Sequence, residues 1–189
     1  MHAIVDRLSR VFALLGGIVL SAMILLTGLS ILGRSINSVL HSDSVRSVTP
    51  ELAALLLSTG VGPINGDFEL VEAGMAFAIF AFIPLCQLHF AHASVDIFTS
   101  RLPERVRAWQ ALLIDTVFAL VLAVIAWQLF EGMLSKLNSG QTTLLLQFPV
   151  WSAYAISVSG AVMTVLVSAY IAIQRLREVV TGRPILPTA

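Results

Sequence analysis

The chain contains the uncharged run Val11-Phe-Ala-Leu-Leu-Gly-Gly-Ile-Val-Leu-Ser-Ala-Met-Ile-Leu-Leu-Thr-Gly-Leu-Ser-Ile-Leu32, which lies between Arg10 and Arg34. A helix needs about 20 residues, at about 1.5 Å each, to cross about 30 Å of hydrocarbon, and this run is long enough. It is also longer than the apolar core of a cleaved signal peptide, which has about 7–15 residues. The run therefore predicts a retained transmembrane helix over about residues 11–33.

Three more stretches have the same character and predict transmembrane helices over about residues 68–89, 109–131 and 150–173. Hydrophobic residues make up 57% of the 189 residues and charged residues only 12%, with a mean hydropathy of +0.91. A soluble domain carries about a quarter charged residues. The sequence therefore predicts an all-α integral membrane protein with four transmembrane helices in a single domain, residues 1–189.

Aromatic residues flank the last two stretches at spacings close to the thickness of a membrane. Trp109 and Trp127 are separated by about 27 Å on a straight helix, and Trp151 and Tyr170 are similarly spaced. Because Trp and Tyr are enriched at membrane interfaces, each pair is expected to place one residue at each interface.

The distribution of positive charge predicts the orientation. Eight of the 11 Lys and Arg residues lie before the first stretch, between the second and third, or after the fourth. The other three, Arg34, Arg46 and Lys136, lie in the remaining connections. Since positive residues concentrate on the cytoplasmic side, both termini are predicted to be cytoplasmic.

The connections differ in their predicted structure. The first, residues 34–66, is long and polar, but its Thr49–Gly60 segment has helix-capping residues and an apolar core too short to span. It predicts a short helix that lies on the outer membrane surface or on a partner. The Ser94–Pro103 segment places apolar residues on one helical face and predicts a short interfacial amphipathic segment between helices 2 and 3. The tail, residues 174–189, ends in a segment expected to be disordered.

Residues able to carry chemistry are sparse. The four histidines are not placed at matching depths on facing helices, as a membrane haem would need, and the single cysteine, Cys86, has no partner for a disulfide. No hydrolase triad, zinc motif or phosphate-binding loop is present in the sequence. The zero net charge argues against nucleic acid as a partner. The sequence therefore predicts no enzyme activity, no cofactor and no metal site.

Several residues are candidates for contacts with a neighbouring helix or a partner. Asp115 lies less than two turns inside the third stretch, where an ionisable group faces a bundle interior, a cavity or a partner. A hydrogen bond to a neighbouring helix or snorkelling towards the cytoplasmic interface is the alternative. Glu69 and Glu72, at the start of the second stretch, suit a helix dipole or a polar partner contact. Small residues at four-residue steps in the fourth stretch allow close helix packing, either within the chain or to another subunit. They are Ala153, Ser157 and Ala161.

The order of several short motifs resembles the small membrane subunit (DctQ-type) of tripartite ATP-independent periplasmic (TRAP) transporters. Glu69 stands where that family has an acid opening helix 2. His92-Ala-Ser-Val-Asp96 and Arg101-Leu-Pro103 resemble the family's sequence leading into helix 3. Gly140-Gln141 and Phe148-Pro-Val-Trp151 resemble the sequence leading into helix 4.

The resemblance implies a non-catalytic subunit that scaffolds a large membrane subunit, which itself carries the substrate and sodium sites. A periplasmic binding protein would deliver the substrate, typically an organic acid, and membrane lipid would surround the complex. Glu69, His92 and Asp96 are then expected to be separate anchors to a partner or to lipid headgroups.

Two alternatives from other functional classes remain at this point. One is a membrane-anchor subunit of a respiratory complex that binds a quinone or haem, which a haem absorption band would support. The other is a self-sufficient small transporter or channel, for which the sequence offers neither a pair of broken helices nor a polar pore stripe.

Overall fold

The structure, a computed structural model, describes residues 2–42, 62–91 and 103–181, together with the single residues 51, 57 and 60. Most of the predicted Thr49–Gly60 surface helix, most of the predicted Ser94–Pro103 amphipathic segment and the end of the tail lie outside these residues.

Four helices make up the described part of the chain: α1 (His2–Leu40), α2 (Asp67–Leu88), α3 (Glu104–Ser139) and α4 (Val150–Thr181). Each is long and apolar enough to cross a membrane, and no strand is present in the described ranges. The predicted all-α membrane fold is therefore confirmed. Three of the helices exceed the predicted stretches because a helix continues past the hydrocarbon wherever its residues still favour it. The 36 residues of α3, for example, are about 54 Å long.

The helices contact one another in the order α1, α2, α4, α3, so that α1 and α3 are the outer helices. The bundle has two ends, to which we give names. The termini end holds the start of α1, the end of α2, the start of α3 and the end of α4. The hairpin end holds the opposite helix ends and the α3–α4 connection, residues 140–149. In this arrangement α2 and α4 run parallel, and both are antiparallel to α1 and α3.

Close contacts along the seam between α1 and α2 recur every seven residues on both helices. A methyl group at Gly16 would lie 2.8 Å from the Cβ of Ala81, and one at Gly74 would lie 2.5 Å from the Met23 sulfur. Such spacing is typical of helices that cross at about 20° with interlocking side chains. The contacts along the seam are Gly16–Ala81, Met23–Gly74 and Ser30–Asp67.

The seam between α2 and α4 is built around a proline. Pro84 lies inside α2 and has no N–H, so the carbonyl of Phe80 lacks its usual helical donor. The Thr164 hydroxyl on α4 lies 3.0 Å from that carbonyl oxygen and 2.9 Å from the Gly160 carbonyl, and it donates its hydrogen between them. Gly160 allows this approach, because a methyl group there would lie 3.0 Å from the Phe80 Cβ.

Buried apolar side chains cluster near the termini end. Leu88 of α2 packs with three residues of α4, and side chains of α1 cover the group. In contrast, most large apolar side chains of α1 and α3 are exposed, as expected for helices that face lipid or another protein. The α4 members of the cluster are Met163, Val167 and Ile171.

The register between α3 and α4 is set by contacts near both ends. A methyl group at Gly132 would lie 2.9 Å from the Tyr154 ring, and Asp115 pairs with Arg175. Trp127 is therefore level with the middle of α4, roughly 12 Å deeper than Trp151. The two aromatic pairs expected at the interfaces are offset from each other, so they do not mark the same two planes.

Candidate contact sites at the two ends of the bundle

The residues predicted as contacts do not form one site. Glu69, Glu72 and Ala153 lie towards the hairpin end, whereas Asp115 lies near the termini end. His92 and Asp96 lie outside the described residues.

Glu69 holds the α3–α4 connection. Its two carboxylate oxygens accept hydrogen bonds from the backbone N–H groups of Leu145, at 2.6 Å, and Leu146, at 2.9 Å. Glu69 also lies in the first turn of α2, where a negative charge complements the helix dipole. Within its own chain the Glu69 carboxylate thus binds backbone amides, and its contact with a partner stays a prediction.

The connection that binds Glu69 is a short hairpin. Gly140 ends α3 in the left-handed conformation, with φ 62°. The N–H of Thr143 then donates to the Phe148 carbonyl at 2.9 Å, and the N–H of Val150 donates to the Gln141 carbonyl at 3.0 Å. These bonds hold the two arms of the hairpin together and direct the amides between them towards Glu69.

Gly66, which precedes α2, supports the same contact. It has a φ of 81°, in the left-handed region that favours glycine, and a Cβ there would collide with the Leu146 side chain. Leu146 therefore packs over the start of α2, whereas Leu144 at the tip of the hairpin is 88% exposed.

Asp67 joins α2 to α1 at the same end. Its carboxylate accepts a hydrogen bond from the Ser30 hydroxyl at 2.5 Å and lies 3.8 Å from the Arg34 guanidinium. Ser30 also accepts a hydrogen bond from the N–H of Ile64, at 3.2 Å. The sequence signal for this role is the place of Asp67 directly after Gly66 and before an apolar run, which is typical of a residue at a helix start.

Below the hairpin, a groove of about 810 Å³ opens between α2 and α3, with α4 as its floor. Glu72 lines the α2 wall and is exposed. Lys136 lines the α3 wall and donates to the Gln141 side chain at 2.7 Å. Ala153 and Ser157, two of the three small residues predicted to form a stripe, line the groove as well.

Two of the three stripe residues, including Ser157 at the edge of the groove, are buried inside the chain. Ser157 and Ala161 are 2% and 1% exposed. Further along α4, the Ser168 hydroxyl lies 2.5 Å from the Gln87 side-chain oxygen and 2.8 Å from the Thr164 carbonyl oxygen. The small and hydroxyl-bearing face of α4 is thus largely the surface that receives α2.

Arg175 organises the termini end. Its guanidinium lies 3.3 Å from the Asp115 carboxylate on α3 and 3.0 Å from the Glu178 carboxylate one turn later on α4. It also stacks over the Phe90 ring, 4.8 Å from the ring centre, which fixes the residues after α2. All three charged side chains are less than a fifth exposed, so this cluster joins three segments in a partly desolvated place.

A second cluster ties α1 to the end of α2. The Asp6 carboxylate lies 3.0 Å from the His89 Nε2 and 2.9 Å from the Arg10 Nε. These groups are more exposed than the Arg175 cluster, and pairs of this kind contribute little to stability. Within the described residues, no group of three His, Cys, Asp or Glu side chains is placed to hold a metal ion.

The fold and these clusters define a class of protein: a four-helix membrane protein whose helix-end charges mostly bind its own backbone and its own neighbouring helices. Residues 52–178 match the family model described as tripartite ATP-independent periplasmic transporters, DctQ component. No curated protein and no solved structure matches the chain. The chain belongs to the DctQ family and is a small membrane subunit of a TRAP transporter, as its motifs predicted.

Proposed function

We propose that this subunit is a non-catalytic scaffold for the large membrane subunit in sodium-coupled, binding-protein-dependent uptake of an organic acid. The observation that carries the proposal is the use of acids at the helix ends. Asp67 binds Ser30, Glu69 binds backbone amides, and Asp115 binds Arg175. Groups engaged in this way stabilise a fixed arrangement of helices and are not available to carry an ion or a substrate.

The polar residues between α2 and α4 support the same proposal. Thr164 and Ser168 hydrogen-bond to backbone carbonyls or to Gln87 and are fully buried. They join two helices tightly and do not line the groove at the hairpin end. A rigid group of helices with apolar outer faces is suited to enlarging the fixed part of a transporter whose large subunit moves.

Reconstitution tests the proposal directly. Proteoliposomes should take up substrate only when this chain, the large subunit and the binding protein are all present and a sodium gradient is applied. Liposomes that contain this chain alone, with the same binding protein and gradient, are the control and should show only background uptake. Substrate-specific uptake by this chain alone would overturn the scaffold.

We also propose that the termini end faces the cytoplasm of a bacterial inner membrane and the hairpin end faces the periplasm. Arg175 and Arg177 at the termini end, against Lys136 alone in the α3–α4 region, support this orientation. A reporter that is active only in the cytoplasm should be active when it is fused after Ala189. Activity of a periplasm-dependent reporter at the same position would reverse the orientation.

The respiratory-anchor alternative makes a different prediction. A quinone- or haem-binding anchor would show a haem absorption band or co-purify with respiratory subunits. Membership of the DctQ family favours the transporter, and we expect no such band from the purified complex.

A further inference from the structure

The outer face of α3 carries a stripe of large side chains at alternating four- and three-residue steps, which we call the α3 stripe. Its apolar members are between 50% and 65% exposed. A heptad spacing of this kind is typical of a helix that packs against another helix at about 20°. The apolar members are Leu113, Val117, Leu120, Val124 and Trp127, and the next position in the series is Glu131.

The α3 stripe lies on the side of α3 that faces away from this chain. The opposite side of α3 contacts α4 through Asp115, through Leu122, which is 6% exposed, and through Gly132. Leu120 and Val124 are each two residues from Leu122, about 200° around the helix. The stripe is therefore available to lipid or to another protein.

Glu131 distinguishes this face from a surface that only contacts lipid. It is exposed, and it forms no ion pair within the described ranges. The neighbouring Gly132 is level with Tyr154, four residues inside the start of α4, which puts Glu131 roughly 6 Å inside that helix end. An ionisable side chain at membrane depth faces an interior, a cavity or a partner.

The depth of the apolar stretch of α3 also argues for a protein neighbour. Apart from Asp115, which is paired with Arg175, α3 is uncharged between Arg107 and Glu131. In the observed register, this stretch is displaced towards the termini end by about six residues, or about 9 Å, relative to the uncharged part of α4. A tilt of about 20°, typical of transmembrane helices, would displace the apolar stretches of two helices about 10 Å apart by only about 4 Å along the membrane normal. Tilt alone is therefore too small to account for the displacement, and a protein neighbour would cover the part of α3 that lies outside the hydrocarbon.

The outer face of α1 provides the contrast. Between Arg10 and Arg34 it has no charged residue, and Ile18 and Leu25 are 58% and 67% exposed. This face has the composition expected of a surface that contacts lipid alone, so the acid on the α3 stripe is not a general feature of the outer helices.

We propose that the α3 stripe packs against a transmembrane helix of the large subunit, and that Glu131 pairs there with a Lys or Arg side chain of that helix. The inference rests on the proposed scaffold function and adds the face through which the scaffold acts. A cation on the partner would neutralise Glu131 in a place where water is scarce, and the heptad stripe would supply the apolar contact around the pair.

Site-specific cross-linking locates the contact. In the intact complex, with Cys86→Ala as background, single cysteines at Leu120 and Val124 are labelled with a photoreactive benzophenone maleimide and irradiated. The matched control positions are Ile18 and Leu25 on α1. We expect an adduct with the large subunit at Leu120 and Val124 in at least fivefold excess over the α1 positions. Equal yields, the opposite order, or no adduct at the α3 positions in a complex that still co-purifies would overturn the proposal.

The charge of Glu131 is tested separately. Glu131→Lys should reduce the large subunit retained on the purified chain at least tenfold, and Glu131→Gln should reduce it less. Ser35→Lys, which adds a positive charge at an exposed position near the hairpin end of α1, is the control and should leave retention unchanged. Retention by Glu131→Lys equal to that of the control would contradict the ion pair.

Wild-type co-purification separates this inference from the function on which it rests. If the wild-type chain does not bind the large subunit, the scaffold function itself fails. If the wild-type chain binds and the Glu131 and cross-linking results are negative, the scaffold stands and the α3 face is excluded.

Discussion

The two ends of the bundle are held by different chemistry. At the termini end, Arg175 gathers the side chains of Asp115 and Glu178 and the ring of Phe90. At the hairpin end, the Glu69 carboxylate binds backbone amides of the α3–α4 connection. The first arrangement depends on side chains alone, whereas the second depends on a backbone conformation that must form before the carboxylate has anything to bind.

This difference determines how each end responds to mutation. Removal of the central cation at the termini end leaves two carboxylates close together and only partly solvated. Removal of the carboxylate at the hairpin end leaves amides that water at the membrane surface is able to solvate. We therefore expect the larger losses of stability at the termini end and the larger local changes in backbone dynamics at the hairpin end.

The largest effect is expected from Arg175→Met. The substitution keeps much of the side-chain volume but leaves Asp115 and Glu178 without their shared cation. Breaking a buried pair by removing one partner costs about 3–5 kcal/mol, and since these groups are slightly exposed we expect about 3 kcal/mol. Thermal unfolding of the purified chain in mild detergent measures the loss.

Arg177→Met is the matched control, because Arg177 lies on the same helix but is exposed. It should change the free energy of unfolding by less than about 0.5 kcal/mol. Equal stability of the two variants would show that the Arg175 cluster does not hold the termini end together.

The second effect, at the hairpin end, is that of Gly66→Ala. The new Cβ would be strained by the φ of 81° and would collide with the Leu146 side chain, which would have to move off the start of α2. Overpacking costs about 1–3 kcal/mol, and because the Leu146 side chain is half-exposed and able to move, we expect about 2 kcal/mol with the backbone strain included. Unfolding measured by the same method reports the sum.

Gly60→Ala separates the two contributions, because Gly60 has the same φ of 81° but no atom of the described residues lies within 4 Å of the position a Cβ would take. It should show the backbone strain alone. If both variants lose the same stability, the packing of Leu146 over Gly66 contributes nothing.

The third effect, in the middle of the bundle, is that of Thr164→Val. The substitution keeps the shape of the side chain but removes the hydroxyl that donates to the Phe80 carbonyl freed by Pro84. An unmade hydrogen bond to a buried group costs about 1–3 kcal/mol, and we expect about 1 kcal/mol because Thr164 shares its hydrogen with Gly160. Thr164→Ser and Thr164→Ala both lack the buried methyl group and differ in the hydroxyl, so the Ser variant should be the more stable of the two in thermal unfolding; equal stability of these two variants would exclude this bond.

Hydropathy and charge predicted the four helices because a membrane span depends on the average character of about 20 residues. Ala153, Ser157 and Ala161 were expected to form a contact within the chain or to another subunit, because small residues at helical spacing allow a helix to approach closely. Ser157 and Ala161 are buried within the chain, and the contact to another subunit stays a prediction. The partners of individual charges were not predicted. Arg175 was counted only as a positive charge that sets the orientation, although Glu178 three residues later is at ion-pairing distance on a helix.

Other features had weaker signals in the sequence. Glu69 was identified, but its partners are backbone amides, which any sequence carries, so only the fold shows where they lie. Thr164 has no pattern that links it to Pro84, because the link depends on the relative shift of α2 and α4. The third predicted stretch ends at Glu131, yet α3 continues past it to Ser139. A carboxylate within a helix that is apolar on both sides of it is the signal that could have identified this position.

The smallest effect on global stability, and the sharpest test of the comparison, is expected from Glu69→Gln. The carboxamide has the same shape as the carboxylate, but its oxygen can accept from only one of the Leu145 and Leu146 amides, and its NH₂ group faces the other. The hairpin should open more often while the helices remain packed. Amide hydrogen exchange at residues 144–146 should become at least tenfold faster, with exchange in the middle of α4 unchanged.

Glu72→Gln, one turn along the same helix and without a hydrogen bond to the hairpin within the described residues, should leave the exchange at residues 144–146 as in the wild type. If exchange accelerates equally in both variants, it depends on the negative charge of this end and not on the carboxylate that binds the amides; if it accelerates in neither, the hairpin is held by its own cross-strand bonds, and the contrast between the two ends is lost.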